Sequence, residues 1–65
     1  MVKNRLREIR MREYMMNQKE FAELLKVDDK TYSSWEINHS RPNLERALEV
    51  AKILNKNIED IWFLE

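Results

Sequence analysis

Residues 17–37 read NQKEFAELLKVDDKTYSSWEI and contain two helix-start signals in close succession. Asn17 is a good N-cap, and Glu20, three residues later, completes the pattern of a capping box. Asp28 is the next N-cap candidate, and only a short turn separates it from the first apolar pattern. We therefore predict two short helices joined by a tight turn, the second of them over residues 29–37.

Residues 18–37 have the composition that a helix-turn-helix requires. Ala22 is small enough for the second helix to cross close to the first, and Val27 supplies an apolar residue to the turn. Tyr32 and Trp35 are expected to face the core. The opposite face of the second helix is polar, and its residues are Asp29, Lys30, Ser33 and Ser34. In a helix-turn-helix, such a face enters the major groove of DNA.

The rest of the chain continues the helical pattern on both sides of this pair. Residues 2–15 predict a first helix. Asn43 caps a fourth helix whose predicted apolar stripe is Leu44, Ala47, Leu48, Ala51 and Leu54, with Val50 beside it. A short fifth helix is expected after Asn57, followed by an extended tail or short strand at residues 63–65. Glycine is absent and there is one proline. The fold class expected is therefore all-α, a compact bundle of four to five short helices in one domain, residues 1–65.

Composition excludes several kinds of site. The chain has no cysteine, so it has no disulfide or thiolate metal site, and its single histidine, His39, makes any metal site improbable. No apolar stretch suggests a signal peptide or a membrane span. No nucleophile–base pair or glycine-rich phosphate loop is present, so we expect neither an enzyme nor a cofactor. We expect a cytoplasmic protein.

Charge is unevenly distributed along the chain. The net charge is zero, which counts against a nucleic-acid-binding protein. However, the first twelve residues contain five basic side chains and only one acidic one, and acidic residues predominate after residue 45. The basic side chains are therefore concentrated at the N-terminal end.

Several segments together resemble the phage-repressor and Cro-like helix-turn-helix family, the Xre type. They are residues 17–25, Val27, residues 31–36, residues 41–45, the spacing Leu48, Ala51 and Leu54, and residues 58–62. The resemblance covers nearly the whole chain in order. It implies a five-helix DNA-binding domain of bacterial or phage origin, usually dimeric, that regulates transcription.

The resemblance also implies roles for individual residues. Bases would be read by the second helix of the pair, from Asp29, Lys30, Thr31, Ser33 and Ser34. The DNA backbone would be contacted by Gln18, Lys19, Asn38, His39, Ser40 and Arg41. Arg10 and Glu36 would form the family's ion pair between the first helix and the end of the recognition helix.

Three departures from the family's pattern bear on these roles. Lys26 occupies the turn position usually held by glycine, where a left-handed backbone costs roughly 1 kcal/mol or more. The segment between Arg10 and Gln18 is one residue longer than usual, which could displace the Arg10–Glu36 pair. Asp28 and Asp29 favour the helix start but repel phosphates, although Asp29 could accept a hydrogen bond from a cytosine amino group.

Two functions remain open from the sequence. The first is sequence-specific binding of a palindromic double-stranded operator by a homodimeric repressor, without a small-molecule effector. We expect its dimer interface in Ile61, Trp62, Phe63 and Leu64, with part of the fourth or fifth helix. The second is a protein-interaction module of the same fold, antitoxin-like or an adaptor, which zero net charge and the two aspartates favour.

Overall fold

A computed structural model describes all residues from Met1 to Glu65 as a bundle of short helices closed by a small sheet. Its elements, in chain order, are strand β1 (Val2–Asn4), helix α1 (Leu6–Ile9) continued by a π-helical segment (Arg10–Tyr14), helices α2 (Gln18–Leu24), α3 (Asp29–Glu36) and α4 (Leu44–Ile53), a 3-10 turn (Ile58–Asp60) and strand β2 (Trp62–Leu64). The predicted all-α bundle with a short C-terminal strand is thus confirmed.

Helix starts follow the predicted caps. The Asn17 side chain accepts a hydrogen bond from the Glu20 amide at 2.8 Å, and the Glu20 carboxylate accepts one from the Asn17 amide at 3.0 Å. Asp28 caps α3, and Asn43 caps α4 by accepting from the Arg46 amide at 2.8 Å. Each side chain satisfies an amide that lacks a partner in the first helical turn.

Helices α2, α3 and α4 all end in the same way although the chain contains no glycine. The residue after each C-cap is left-handed, with φ of 59° at Lys26, 61° at Asn38 and 54° at Asn55. At α2 the Lys26 amide donates to the Glu23 carbonyl and the Val27 amide to the Ala22 carbonyl, at 3.1 and 3.0 Å. This is a Schellman motif. The left-handed backbone expected at Lys26 is therefore confirmed.

One hydrophobic core joins α1 to α4 and the 3-10 turn. Eleven buried residues form it: Leu6, Ile9, Phe21, Ala22, Leu25, Tyr32, Trp35, Val50, Ala51, Leu54 and Ile61. Phe21 and Tyr32 pack edge to face across α2 and α3, with ring centroids 5.5 Å apart. Tyr32 and Trp35 both face this core, so the opposite face of α3 is left to solvent.

The prediction of a first helix over residues 2–15 was wrong at its start. Val2, Lys3 and Asn4 pair antiparallel with Leu64, Phe63 and Trp62. The Asn4 side chain then accepts from the Leu6 amide at 3.1 Å, so helix α1 begins only at Leu6. The sheet joins the two ends of the chain, a contact that helical periodicity cannot predict.

The predicted apolar stripe of α4 was also partly wrong. The helix buries Ala47, Val50 and Ala51, whereas Leu44 and Leu48 are 70% and 51% exposed. Leu48 lies about 100° around the helix from Ala47, because consecutive helical residues are rotated by that angle. The core therefore selects the alanine face, and the two leucines remain on the surface.

Candidate nucleic-acid interface

Helix α3 presents polar side chains along its exposed face. Asp29, Lys30 and Thr31 are exposed in its first turn, and Ser33 and Ser34 are half-buried further along. The predicted base-reading residues thus share one helix, with the most accessible at its start.

Asp28 caps this helix and is engaged with its own backbone. Its Oδ2 accepts from the Lys30 amide at 3.1 Å and from the Thr31 amide at 3.3 Å. The capping reading of Asp28 is therefore supported. Asp29 is exposed and makes no hydrogen bond or ion pair through its side chain, so its carboxylate is free to accept one from a ligand.

The end of α3 is fixed by a polar network centred on Glu36. Arg10 Nε donates to Glu36 Oε2 at 2.7 Å, Gln18 Nε2 donates to Oε1 at 3.0 Å, and the Tyr32 hydroxyl also donates to Oε2. Ser33 Oγ donates to Gln18 Oε1 at 2.7 Å. This network ties α3 to α1 and α2, so the exposed face of α3 is held in one orientation.

The same network perturbs the acid–base behaviour of its members. Burial alone would raise the pKa of Glu36, but hydrogen bonds from Arg10, Tyr32 and Gln18 outweigh it and lower that pKa below its ordinary value. The hydrogen bond to Glu36 raises the pKa of Arg10. Burial, with the Glu36 contact, raises the pKa of Tyr32 well above its ordinary value. At neutral pH the network is therefore an ion pair with a neutral tyrosine.

The extra residue after Arg10 is accommodated by the π-helical segment. In this segment the Met15 amide donates to the Arg10 carbonyl, a span of five residues instead of four, and Met15 is left-handed with φ of 51°. A π-helical turn is the usual way for a helix to hold one additional residue. Because the extra residue is taken up after Arg10, the position of Arg10 opposite Glu36 is unchanged.

Gln18 is less free than a surface phosphate ligand. Its side-chain amide is half-buried, with the oxygen accepting from Ser33 and one Nε2 hydrogen donated to Glu36. One hydrogen of the amide remains for another acceptor. Lys19, the next residue, is exposed.

The loop that follows α3 is held close to the end of that helix. The His39 and Ser40 amides donate to the Ser34 carbonyl at 2.9 and 3.3 Å, and the Ser34 and Ser40 hydroxyls share a hydrogen bond of 2.7 Å. His39, Ser40 and Arg41 are exposed, and Asn38 is half-buried. The structure thus places these predicted backbone-contacting residues together beside α3.

A family model described as helix-turn-helix matches residues 6–61. The chain belongs to this Xre-type, lambda-repressor-like family. The match spans more than four-fifths of the chain and includes α2, α3 and the Arg10–Glu36 pair. It supports a DNA-binding regulator of the Xre type. The comparison with curated proteins found no match.

Two residues of this region were missed from the sequence. Asn4 Nδ2 donates to the Trp35 carbonyl at 2.8 Å and so links β1 to the end of α3. Arg46 on α4 donates to the carbonyls of Leu25 and Lys26 at the end of α2, at 2.6 Å for Leu25. Both contacts join distant segments, and neither has a local sequence signal.

The residues proposed for a dimer interface have different degrees of exposure. Ile61 is fully buried in the core, so it cannot contact a partner and is removed from that set. Trp62 and Phe63 are half-buried, and Leu64 is 81% exposed. The exposed Leu44 and Leu48 of α4 add to the apolar surface.

Two searches for other kinds of site were negative. No group of three or more His, Cys, Asp or Glu residues is placed to hold a metal ion. None of the helices has both the length and the apolar character needed to cross a membrane.

Proposed function

We propose that this protein is a small transcriptional repressor that binds a palindromic double-stranded DNA operator as a homodimer. In this proposal α3 enters the major groove. One observation carries it: the polar face of α3 is exposed while its opposite face and its end are fixed by the core and by Glu36. A rigid, outward-facing polar helix in the second position of a helix-turn-helix is what groove reading requires.

The proposed contacts fall into two groups. Base edges are read by Asp29, Lys30, Thr31, Ser33 and Ser34. The DNA backbone is contacted by Gln18, Lys19, Asn38, His39, Ser40 and Arg41. Lys30 is the side chain suited to the guanine O6 and N7 acceptors, and Asp29 is suited to a cytosine amino group. Arg41 is exposed and has no acidic partner, so it is free to pair with a phosphate.

A homodimer follows from the small size of the reading element. One α3 reaches only a few base pairs, and two copies related by a two-fold axis read half-sites about one helical turn apart. Trp62, Phe63 and Leu64, with Leu44 and Leu48 of α4, are the apolar side chains that would form the interface. The proposal includes no catalysis, cofactor or small-molecule effector, and it places the protein in the cytoplasm of a bacterial or phage-infected cell.

The second candidate is a protein-interaction module of the same fold. It is favoured by the zero net charge and by Asp28 and Asp29 at the start of α3, which oppose phosphates. Such a module would hold its partner through apolar contacts, so its affinity would vary little with salt.

Selection from a pool of random double-stranded DNA, followed by salt titration, tests the proposal. We expect an enriched palindromic sequence and an affinity that falls steeply as salt rises, because bound phosphates release counterions. Failure to enrich any sequence, together with binding that is insensitive to salt, would refute DNA reading in favour of the protein-interaction module.

A further inference from the structure

A groove with three arginines at its rim lies beyond the C-terminal end of α3. It has a volume of about 690 Å³, and its walls include Arg5, Arg7, Arg12 and Glu36. We call it the arginine groove. Asn4, also in its wall, donates to the Trp35 carbonyl, so the groove directly adjoins the last turn of α3.

Most of the carboxylate charge in the groove is already paired. Glu36 is bound by Arg10, and Glu8 is paired with Arg12 at 3.2 Å. Arg5 and Arg7 have no acidic partner, and neither has Lys3 in the adjacent strand β1. The groove therefore carries uncompensated positive charge, although the chain as a whole is neutral.

Arg5 is held in place without being neutralised. Its guanidinium carbon lies 4.2 Å from the centroid of the Phe63 ring on β2. A cation–π contact fixes the side chain but leaves the charge and the N–H donors free to meet an anion. The β1–β2 pairing thus positions a basic side chain at the edge of the groove.

The proposed DNA face has too few cations of its own. Among its exposed charges, Lys19, Lys30 and Arg41 are opposed by Asp28 and Asp29 at the start of α3. Duplex DNA carries one negative charge per 1.7 Å or so of its axis, so binding needs several basic contacts. The unpaired arginines beyond the other end of α3 can supply the charge that its first turn lacks.

The location fits a phosphate strand. Helix α3 has eight residues and is therefore about 12 Å long, and the major groove is about 12 Å wide. Protein surface that flanks a helix of this length in the groove lies beside the sugar-phosphate strands that border it.

We propose that the arginine groove, through Arg5 and Arg7, binds the phosphate backbone of the same DNA that α3 reads. This inference rests on the proposed DNA binding. It extends the interface past α3 to the N-terminal segment, where the sequence concentrates its basic residues. Because phosphates carry no sequence information, the groove adds affinity and leaves sequence preference unchanged.

Salt-dependent DNA binding by the full chain tests the groove. The probe is a fluorescently labelled duplex of about 30 base pairs, close to three helical turns. Arg7→Gln is the main variant because Arg7 is exposed and has no partner to lose. The matched control is Lys52→Gln, which removes one exposed charge on α4, outside the groove. A double variant, Arg5→Gln with Arg7→Gln, follows.

We expect the slope of log K against log salt to become shallower by about 0.9 in Arg7→Gln and by roughly twice that in the double variant. Lys52→Gln should retain the wild-type slope. A wild-type slope in Arg7→Gln, or an equal change in Lys52→Gln, would overturn the groove while leaving DNA binding by α3 intact. Absence of salt-dependent DNA binding in the wild type would overturn both proposals.

Discussion

Arg10 and Glu36 connect the first helix to the last residue of α3 through two hydrogen bonds, Nε to Oε2 at 2.7 Å and Nη2 to Oε1 at 3.3 Å. The Glu36 side chain is only 3% exposed. Arg10 also donates to the Met16 carbonyl at 2.9 Å, at the junction before α2. One guanidinium therefore fixes all three elements that define the position of α3.

Replacing Arg10 with methionine should strongly destabilise the fold. The Glu36 carboxylate would remain buried without its cation, and breaking a buried pair in this way costs about 3 kcal/mol or more. Urea unfolding at neutral pH measures the loss. Arg12→Met is the control, because it breaks only the exposed pair with Glu8 and should change stability by less than about 1 kcal/mol.

The pH dependence of stability should change sign in the same variant. In the wild type the pKa of Glu36 is lowered, so its contribution is present above the unfolded-state pKa of about 4.3 and is lost as pH falls through the folded-state pKa. Without Arg10, burial should raise that pKa. The contribution is then present at low pH and lost as pH rises. Parallel curves of unfolding free energy against pH for the two proteins would contradict this.

Lys26→Gly should stabilise the protein by up to about 1 kcal/mol. Lys26 has φ of 59°, which strains any residue with a β-carbon, and glycine removes this strain at some cost in unfolded-state entropy. Thermal and urea unfolding measure the gain. Lys26→Ala, which keeps the β-carbon, should give no increase, and equal stabilisation by alanine would show that the left-handed backbone is not the cause.

Arg46→Met should destabilise the protein by about 1–2 kcal/mol. The guanidinium accounts for the Leu25 and Lys26 carbonyls at the end of α2, and a hydrogen bond from a charged donor contributes more than a neutral one. Glu49→Gln is the matched control because it removes only the exposed partner of Arg46 at 3.2 Å. If both variants lost the same stability, the ion pair and not the carbonyl contacts would be responsible.

Local signals predicted the helices well, and distant contacts were out of reach. The cap at Asn17 and the left-handed turn at Lys26 depend on a few neighbouring residues, so the sequence alone identified them. The pairing of Val2 with Leu64 joins opposite ends of the chain. The arginine groove depends on this pairing, and a first helix drawn from residue 2 made its basic residues look like an ordinary solvated face.

The choice of buried face on α4 was ambiguous for a different reason. Leu48 and Ala47 are adjacent, and both fit an apolar stripe with helical spacing. Hydrophobicity favours the leucine, whereas close approach of α4 to the core favours the alanine, which is the one buried. Only the three-dimensional packing decides between them.

Lys30→Ala and Arg41→Ala should weaken DNA binding in different ways. Lys30 lies on the exposed face of α3, so its loss should relax sequence preference, at a cost of about 1–3 kcal/mol on the preferred base. Arg41 lies in the loop after α3 and should weaken all sequences alike. Affinities for selected and scrambled duplexes measure both effects. Equal losses on the two duplexes for Lys30→Ala would refute its base-reading role.

Leu64→Arg should weaken self-association at least tenfold. Leu64 is 81% exposed in the single chain, so the substitution spares the core. In a two-fold interface it would remove two apolar contacts, each contributing about 1.5 kcal/mol or more on burial, and would bring in two like charges. Sedimentation equilibrium measures the dimer constant. Met15→Arg, at a side chain that is 84% exposed between the π-helical segment and α2, is the control and should leave it unchanged. A wild-type protein that stays monomeric at high concentration would refute the homodimer, and a dimer constant unchanged by Leu64→Arg would move the interface away from β2.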